Sequence, residues 1–220
     1  MKVQDVMSSA VVTARADTPF KEIVETLLTS SVSVVPVVDD SDTLIGMVTE
    51  ADLLPKEAYG NRRRKKALSL VADVLLGRES VWIEKARGLV ARDVMSTNVV
   101  TVAPEENVRV AARRMIEEGV KRLPVVSDGR LVGIVSRPDL LSVFSRQDDS
   151  LAASIRTLVR RCMYVEPEYA VEVSVDDGIV TLEGVVRFQS DVDVLGAIVG
   201  AADGVVGVDN KLRYREPDAV

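Results

Sequence analysis

Histidine is absent from the 220-residue sequence. That removes the commonest general base and the commonest protein metal ligand. No paired-carboxylate motif and no metal-ligand spacing stand in for it, so an enzyme is not expected and no cofactor is required. Cysteine occurs once, at Cys162, and cannot form an internal disulfide. A lone thiol fits a reducing compartment. Aromatic residues make up only 4 % of the chain. The apolar 47 % is mostly Val, Ala and Leu, enough for a proper core at this length. A basic excess is also lacking: 28 Lys and Arg face 34 Asp and Glu, a net charge of −6. A general nucleic-acid footprint is therefore not expected. No stretch is apolar and long enough to cross a membrane. The opening MKVQDVMSSAVVT lacks the basic start and apolar run of a signal peptide. A cytoplasmic protein is expected.

What the sequence does contain is an internal repeat, the feature to seek first. Asp5-Val6-Met7-Ser8 recurs as Asp93-Val94-Met95-Ser96, Val11-Val12-Thr13 as Val99-Val100-Thr101, and Pro36-Val37-Val38 as Pro124-Val125-Val126. After a one-residue gain in the first copy, Leu44, Gly46, Val48, Asp52, Leu53 and Leu54 match Leu131, Gly133, Val135, Asp139, Leu140 and Leu141. In each copy a short strand is expected to end at Thr13 or Thr101. A helix follows, with Phe20, Ile23, Val24, Leu27 and Leu28, or Val108, Ala111, Ala112, Met115 and Ile116, at helical spacing. Two β-rich runs come next, Val34–Val38 and Leu44–Thr49, or Leu123–Val126 and Leu131–Ser136. Polar turns at 39–42 and 127–130 separate them. A last helix starts near Asp52 or Asp139. The unit reads β-α-β-β-α.

Each copy carries the heptad Gly, two apolar residues, Ser or Thr, two variable residues, Asp. It appears as Gly46-Met47-Val48-Thr49-Glu50-Ala51-Asp52 and as Gly133-Ile134-Val135-Ser136-Arg137-Pro138-Asp139. Each follows a strand of apolar residue, Pro, Val, Val. In these residues each copy resembles a CBS domain, and the resemblance covers nearly all of residues 1 to 145. It implies a pair of repeats joined as a Bateman module, whose clefts commonly bind AMP, ADP, ATP or S-adenosylmethionine, and which usually pairs into a homodimer. The ligand-binding set it implies is Thr13, Val35, Pro36, Thr49 and Asp52 in the first copy. In the second copy it is Thr101, Lys121, Arg122, Leu123, Pro124, Ser136, Arg137 and Asp139.

The heptad also has a physical reading of its own. A Ser or Thr ends a strand and an Asp lies in the first turn of a helix. The hydroxyl and helix N–H groups can face a phosphate, and an acceptor-only carboxylate suits the hydroxyls of a ribose. The competing reading is that the Asp is only a helix cap and that Gly46 and Gly133 only relieve crowding. The two copies differ in charge. Lys121-Arg122 stands where the first copy has Ser33-Val34, and Arg137 where it has Glu50. A phosphate-bearing ligand is therefore expected in the cleft built on Ser136 and Asp139, with an ordinary solvated strand start as the alternative for Lys121 and Arg122.

Residues 58–89 form a long insert between the copies, 1–57 and 90–146. It holds the run Arg62-Arg63-Arg64-Lys65-Lys66 and an amphipathic segment with Ala67, Leu70, Val71, Val74 and Leu75 on one face, flanked by Asp73 and Glu79, with Trp82 beyond. A solvated linker and packing helix is the favoured reading. A phosphate, RNA or anionic-membrane contact is the other.

Past residue 150 the character changes. Leu151, Ile155, Leu158, Val159 and Cys162 form a helical stripe, with Cys162 expected to be buried. Val171, Val173 and Val175 alternate as a half-buried strand does, and Asp176-Asp177-Gly178 reads as a hairpin turn. A return strand Ile179–Val186, a helix Asp191–Ala202 and a closing strand 204–212 complete α-β-β-α-β. The runs 177–186 and 204–210 resemble a BON domain over about 150 to 215. Such domains are usually described as phospholipid- or surface-binding modules. Seven basic residues face twelve acidic ones from 150 to 220, which should repel anionic lipid.

The expected fold class is α+β / α/β: two β-α-β-β-α repeats followed by a small α-β-β-α-β domain over 150–216. The expected function is a non-enzymatic sensor binding an adenosine compound, forming a homodimer and acting on a regulated protein of unknown identity. The alternative is a lipid- or membrane-surface adaptor acting through the BON-like domain, with the repeats serving only for dimerisation. Nucleic acid is not an expected partner, and any membrane-surface contact is expected to be weak.

Overall fold

The run Val34-Val35-Pro36-Val37-Val38 is β-branched except for its proline, and such side chains fit a pleated surface packed on both faces. In the computed structural model, which describes residues 1–59, 85, 88–162 and 170–217, this run is strand β2 (Val34–Val38), buried at all five positions. It lies between β1 (Ala14–Arg15), to which it runs parallel, and β3 (Leu44–Thr49), to which it runs antiparallel. The second copy repeats the hairpin as β4 (Arg122–Ser127) and β5 (Arg130–Ser136). Both hairpins carry a register irregularity at the same place, between Val37 and Val38 and between Val125 and Val126.

The first strand of each copy is shorter than its sequence suggests. Val11–Thr13 is not a strand, and β1 starts one residue later. Around Thr101 only Val102 forms a bridge, to Val125. Pro36 and Pro124 offer no N–H for a neighbouring strand to bond, so pairing on that side stays short.

Helix α1 (Phe20–Thr29) and its counterpart in the second copy bury equivalent faces. Ile23 and Leu27 are inside in the first, and Val108, Ala111 and Met115 in the second. At the equivalent positions Leu28 and Ile116 the stripe turns outward, 74 % and 78 % exposed. Helix α2 (Glu50–Tyr59) follows β3 directly. The short helix α3 (Ala91–Val94) opens the second copy, α4 (Val108–Glu117) is its main helix, and α5 (Arg137–Leu141) follows β5 directly. The insert's basic run Arg62–Lys66, its apolar stripe from Ala67 to Leu75, and Asp73, Glu79 and Trp82 lie outside the described residues.

The chain divides into two units, Met1–Arg137 and Pro138–Val220, with α5 running across the division. In the second unit, α6 (Asp148–Cys162) packs Leu151, Ile155 and Val159 against Val173, Val180, Leu182 and Val186. Those residues come from β6 (Val171–Asp176) and β7 (Ile179–Phe188), an antiparallel hairpin. Its two-residue turn has φ 48° at Asp177 and 74° at Gly178, the left-handed pair that matches strand twist. The Asp148 carboxylate accepts the N–H groups of Asp177 (2.9 Å) and Gly178 (3.0 Å). Helix α7 (Gln189–Gly200), with Leu195 and Val199 inside, crosses back so that β8 (Gly207–Glu216) runs parallel to β7. The order is α-β-β-α-β. Cys162 is exposed, not buried. It falls in the last turn of α6, where the apolar stripe has already left the sheet.

Candidate functional site

The two copies exchange their first residues. Ser8 pairs with Ile134, in β5 of the second copy, and Ser96 pairs with Met47, in β3 of the first. The exchange is reciprocal in its hydrogen bonds. Val3 N–H donates to Glu106 O (2.9 Å) as Ala91 N–H donates to Thr18 O (2.9 Å), and Gln4 to Pro104 (3.0 Å) as Arg92 to Ala16 (2.9 Å). Ala91 and Val94 therefore belong to the core around Ile23, Val35 and Val48.

This exchange explains the heptad glycines. A Cβ on Gly46 would lie 2.6 Å from Met95 Sδ and 3.1 Å from Ser96 O. A Cβ on Gly133 would lie 2.6 Å from Met7 Sδ and 3.1 Å from Ser8 O. Each glycine leaves room for the Met-Ser of the other copy to cross over its strand.

The first heptad places its polar residues at the strand–helix junction. Thr49 ends β3 and Asp52 lies in the first turn of α2. Asp52 Oδ2 accepts from the Thr49 N–H (2.8 Å) and hydroxyl (2.7 Å), and Asp52 N–H donates back to Thr49 Oγ1 (3.3 Å). The capping role is therefore real. It consumes only one carboxylate oxygen. Asp52 is 7 % exposed, the one buried charged residue among those described. Its Oδ1 accepts from Ser96 Oγ (3.3 Å) and is ion-paired with the Lys85 ammonium.

A cavity of about 520 Å³ opens beside this junction, within the usual range for small-molecule sites. Its walls come from both copies. Ser33, Val34, Met47, Thr49, Glu50, Ala51 and Asp52 come from the first. Ser96, Asn98, Val99, Val100, Gly119, Val120, Lys121 and Arg122 come from the second. The cations Lys121 and Arg122 thus line the cavity of Thr49 and Asp52. The sequence pairs those cations with the second heptad, whose Ser136 is the register partner of Arg122; the cavity sets them beside the first heptad as well. The reason is the crossing of the two copies, which builds one cleft from parts of each. Arg122 also donates to Ser33 Oγ across the copies.

The other sequence-derived residues are placed as follows. Val35, Pro36, Leu123 and Pro124 are buried in their strands and do not line this cavity. Thr13 is exposed just before β1, and the Thr101 carbonyl accepts from Arg114 Nη1 (2.8 Å). Ser136 ends β5 and Asp139 lies in the first turn of α5, as Thr49 and Asp52 do in the first copy. Arg137 Nη2 donates to the Val120 carbonyl (3.1 Å). Three polar contributors went unnoticed in the sequence: Ser96, Asn98 and Lys85. Ser96 is the last residue of the recurring Asp-Val-Met-Ser, so the repeat itself carried a signal for it. Lys85 is one cation in the insert and has no local signature.

The CBS domain family matches residues 3–58 and 91–146. The chain is a CBS-domain protein. The BON domain family matches residues 147–216, so a pair of CBS repeats is followed by a BON domain. The chain is 32 % identical over 137 residues to the chloroplastic CBS domain-containing protein CBSX2 of Arabidopsis thaliana, covering 58 % of this chain and 56 % of that one. It is 31 % identical over 141 residues to the uncharacterized protein MJ1225 of Methanocaldococcus jannaschii, covering 64 % and 42 %. It therefore spans about half the length of these relatives or less. Among solved structures, the crystal structure of CBSX2 in complex with AMP is 29 % identical, with a TM-score of 0.53, over 64 % of this chain and 94 % of that one. The CBS domain pair of MJ0100, solved with 5-methylthioadenosine and S-adenosyl-L-methionine, shares the fold at 23 % identity and a TM-score of 0.51, over 66 % and 96 %. Among the described residues, no helix is long and apolar enough to cross a membrane.

Proposed function

We propose that this CBS-domain protein is a non-enzymatic sensor that binds a phosphate-bearing adenosine compound in the cleft of Thr49 and Asp52. The observation that carries the reading is the layout of that cleft. A buried carboxylate with one oxygen outside its cap and the two cations Lys121 and Arg122 line the same cavity. A carboxylate accepts from ribose hydroxyls and the two cations suit a phosphate. Val34, Val99 and Val100 supply apolar wall for a purine. The AMP-bound structure of CBSX2 supports the same ligand class. Isothermal titration with AMP, ATP and adenosine tests it. Arg122→Ala should weaken AMP and ATP while sparing adenosine. Equal loss for all three would remove the phosphate role.

A ligand shifts the protein only by binding one arrangement better than another. The output would pass from the CBS pair, 1–57 and 90–146, through the insert 58–89 and the BON domain at 150–216 to a regulated protein. Homodimerisation is supported by the outward apolar residues Leu28, Leu54 and Ile116 and by the apolar groove of Phe20, Val24 and Leu53 on the first copy. A reducing, cytoplasmic setting is supported by the lone exposed Cys162. The rival reading, a surface or lipid adaptor, draws on Ile179 and Val206, both exposed in the BON domain. Co-sedimentation with anionic vesicles that survives loss of AMP binding would favour it.

A further inference from the structure

Asp52 already has a cation on the oxygen that a ribose would need. Oδ2 is committed to the backbone N–H and hydroxyl of Thr49. Oδ1 is the remaining acceptor, and the ammonium of Lys85 sits on it. The same ammonium donates to Ser96 Oγ (3.1 Å), which itself donates to Asp52 Oδ1. The Lys85 and Asp52 side chains are 12 % and 10 % exposed, so water does little to screen the pair.

The lysine is held in place by its own stretch of chain. The Lys85 carbonyl accepts from Gly88 N–H (3.1 Å), and the Gly88 carbonyl accepts from the Lys56 ammonium. A Cβ on Gly88 would meet Val94 Cγ1 at 2.5 Å, so this backbone lies tight against α3. The next residues are fixed as well, because the Asp93 carboxylate accepts the N–H groups of Leu89 (2.9 Å) and Val90 (3.2 Å). The end of the connection between the repeats is thus tied to the wall of the cleft through one ion pair.

We propose that Lys85 is an internal competitor for Asp52: it pairs with the oxygen that a ribose would use and is displaced when an adenosine compound binds. The inference rests on the adenosine reading of the cleft and adds its regulation. Displacement takes the ammonium off Asp52, so occupancy of the cleft is reported directly to the segment that leads into the second repeat. It also sets specificity. A ligand carrying phosphate offers the displaced lysine a new anion, whereas free adenosine does not. The Lys85–Asp52 pair therefore discriminates against the nucleoside.

The test is calorimetric titration of the full chain with adenosine, 2′,3′-dideoxyadenosine and AMP, comparing wild type with Lys85→Met and Lys85→Gln. Circular dichroism first confirms that each variant is folded, and the glutamine keeps a polar partner should the methionine disturb the fold. Adenosine should bind the variants about tenfold tighter than wild type, the scale of one charge-assisted hydrogen bond no longer broken on binding. The gain should vanish for the dideoxy compound, which lacks the 2′- and 3′-hydroxyls that Asp52 would accept from. Unchanged or weaker adenosine binding, or an equal gain for the dideoxy compound, overturns the competitor role. If no adenosine compound binds either the wild type or the variants, the reading of the cleft itself fails and the inference falls with it.

Discussion

The two CBS repeats share one scaffold and differ where a ligand would touch them. In the scaffold the equivalence extends to single atoms. Arg15 N–H donates to Thr18 Oγ1 at 2.8 Å, and its counterpart Ala103 N–H donates to Glu106 Oε2 at 2.7 Å. Gly46 lies under Met95 as Gly133 lies under Met7. The cleft-facing positions have diverged instead. Ser33 and Val34 became Lys121 and Arg122, and Glu50 became Arg137. The difference teaches that the glycine, threonine or serine, and aspartate of the heptad are first a structural device. On the proposed reading of the cleft, charge and the crossing of the repeats then decide which copy of the device becomes a site.

The comparison can be broken most sharply in the core. Met115 is 1 % exposed and occupies the place of Leu27. Met115→Ala and Leu27→Ala should each cost about 2–5 kcal/mol, the usual range for a buried truncation. Urea unfolding measures both, and a large inequality would show that the repeats do not share equal parts of one core. Next come the glycines. Gly46→Val and Gly133→Val should each destabilise by about 1–3 kcal/mol through overpacking against the crossing methionine. Melting temperatures should fall by similar amounts, and loss in one copy alone would contradict the reciprocal exchange.

A smaller effect separates the repeats by pH. Burial pushes the Glu106 carboxyl up, but the Ala103 N–H and the Arg114 guanidinium (2.8 Å from both oxygens) outweigh it and hold it below the ordinary carboxylate value. A depressed carboxylate stabilises the folded state above its unfolded pKa and loses that contribution as pH falls through its folded pKa. Glu106→Gln should therefore cost roughly 1 kcal/mol near neutrality. The gap from wild type should close as the pH drops below the ordinary glutamate range. Thr18→Val, the counterpart change in the first repeat, should show a pH-independent cost in the same titration. The smallest effect expected is in the insert. Changing Arg62, Arg63 and Arg64 to Ala should leave AMP affinity within about twofold, on the reading of that run as a solvated linker. A large loss would mean that it reaches the cleft.

Much of the scaffold was legible because its signals are local. The heptad predicts a strand ending at Thr49 or Ser136 and a helix starting near Asp52 or Asp139; the strands end there, and the helices begin two residues earlier than expected, at Glu50 and Arg137. The alternation from Val171 to Val175 and the Asp177-Gly178 turn predict the hairpin of the C-terminal domain just as directly. The cleft was legible only in part. Asp52, Thr49, Lys121 and Arg122 stand out by type, but nothing local says that the cations of one copy line the same cavity as the aspartate of the other. That fact lives in the exchange of Ser8 and Ser96 between repeats, a contact across some 50 to 130 residues of sequence. Thr13 and Thr101 misled for a related reason: their extended segments pair only at the far end, so the strands are shorter than the apolar runs. Cys162 continues a buried stripe by spacing, yet the helix outlasts the sheet it packs on.

The central claim is that the phosphate-bearing ligand is held by Asp52 and not by Asp139. Isothermal titration of AMP into wild type, Asp52→Ala and Asp139→Ala measures it most directly. Losing one charge-assisted acceptor should weaken the tight site by about ten- to a hundredfold in Asp52→Ala. Asp139→Ala should leave that site within about threefold of wild type, on the same scale. The opposite ranking, with the tight site lost in Asp139→Ala and kept in Asp52→Ala, would contradict the account.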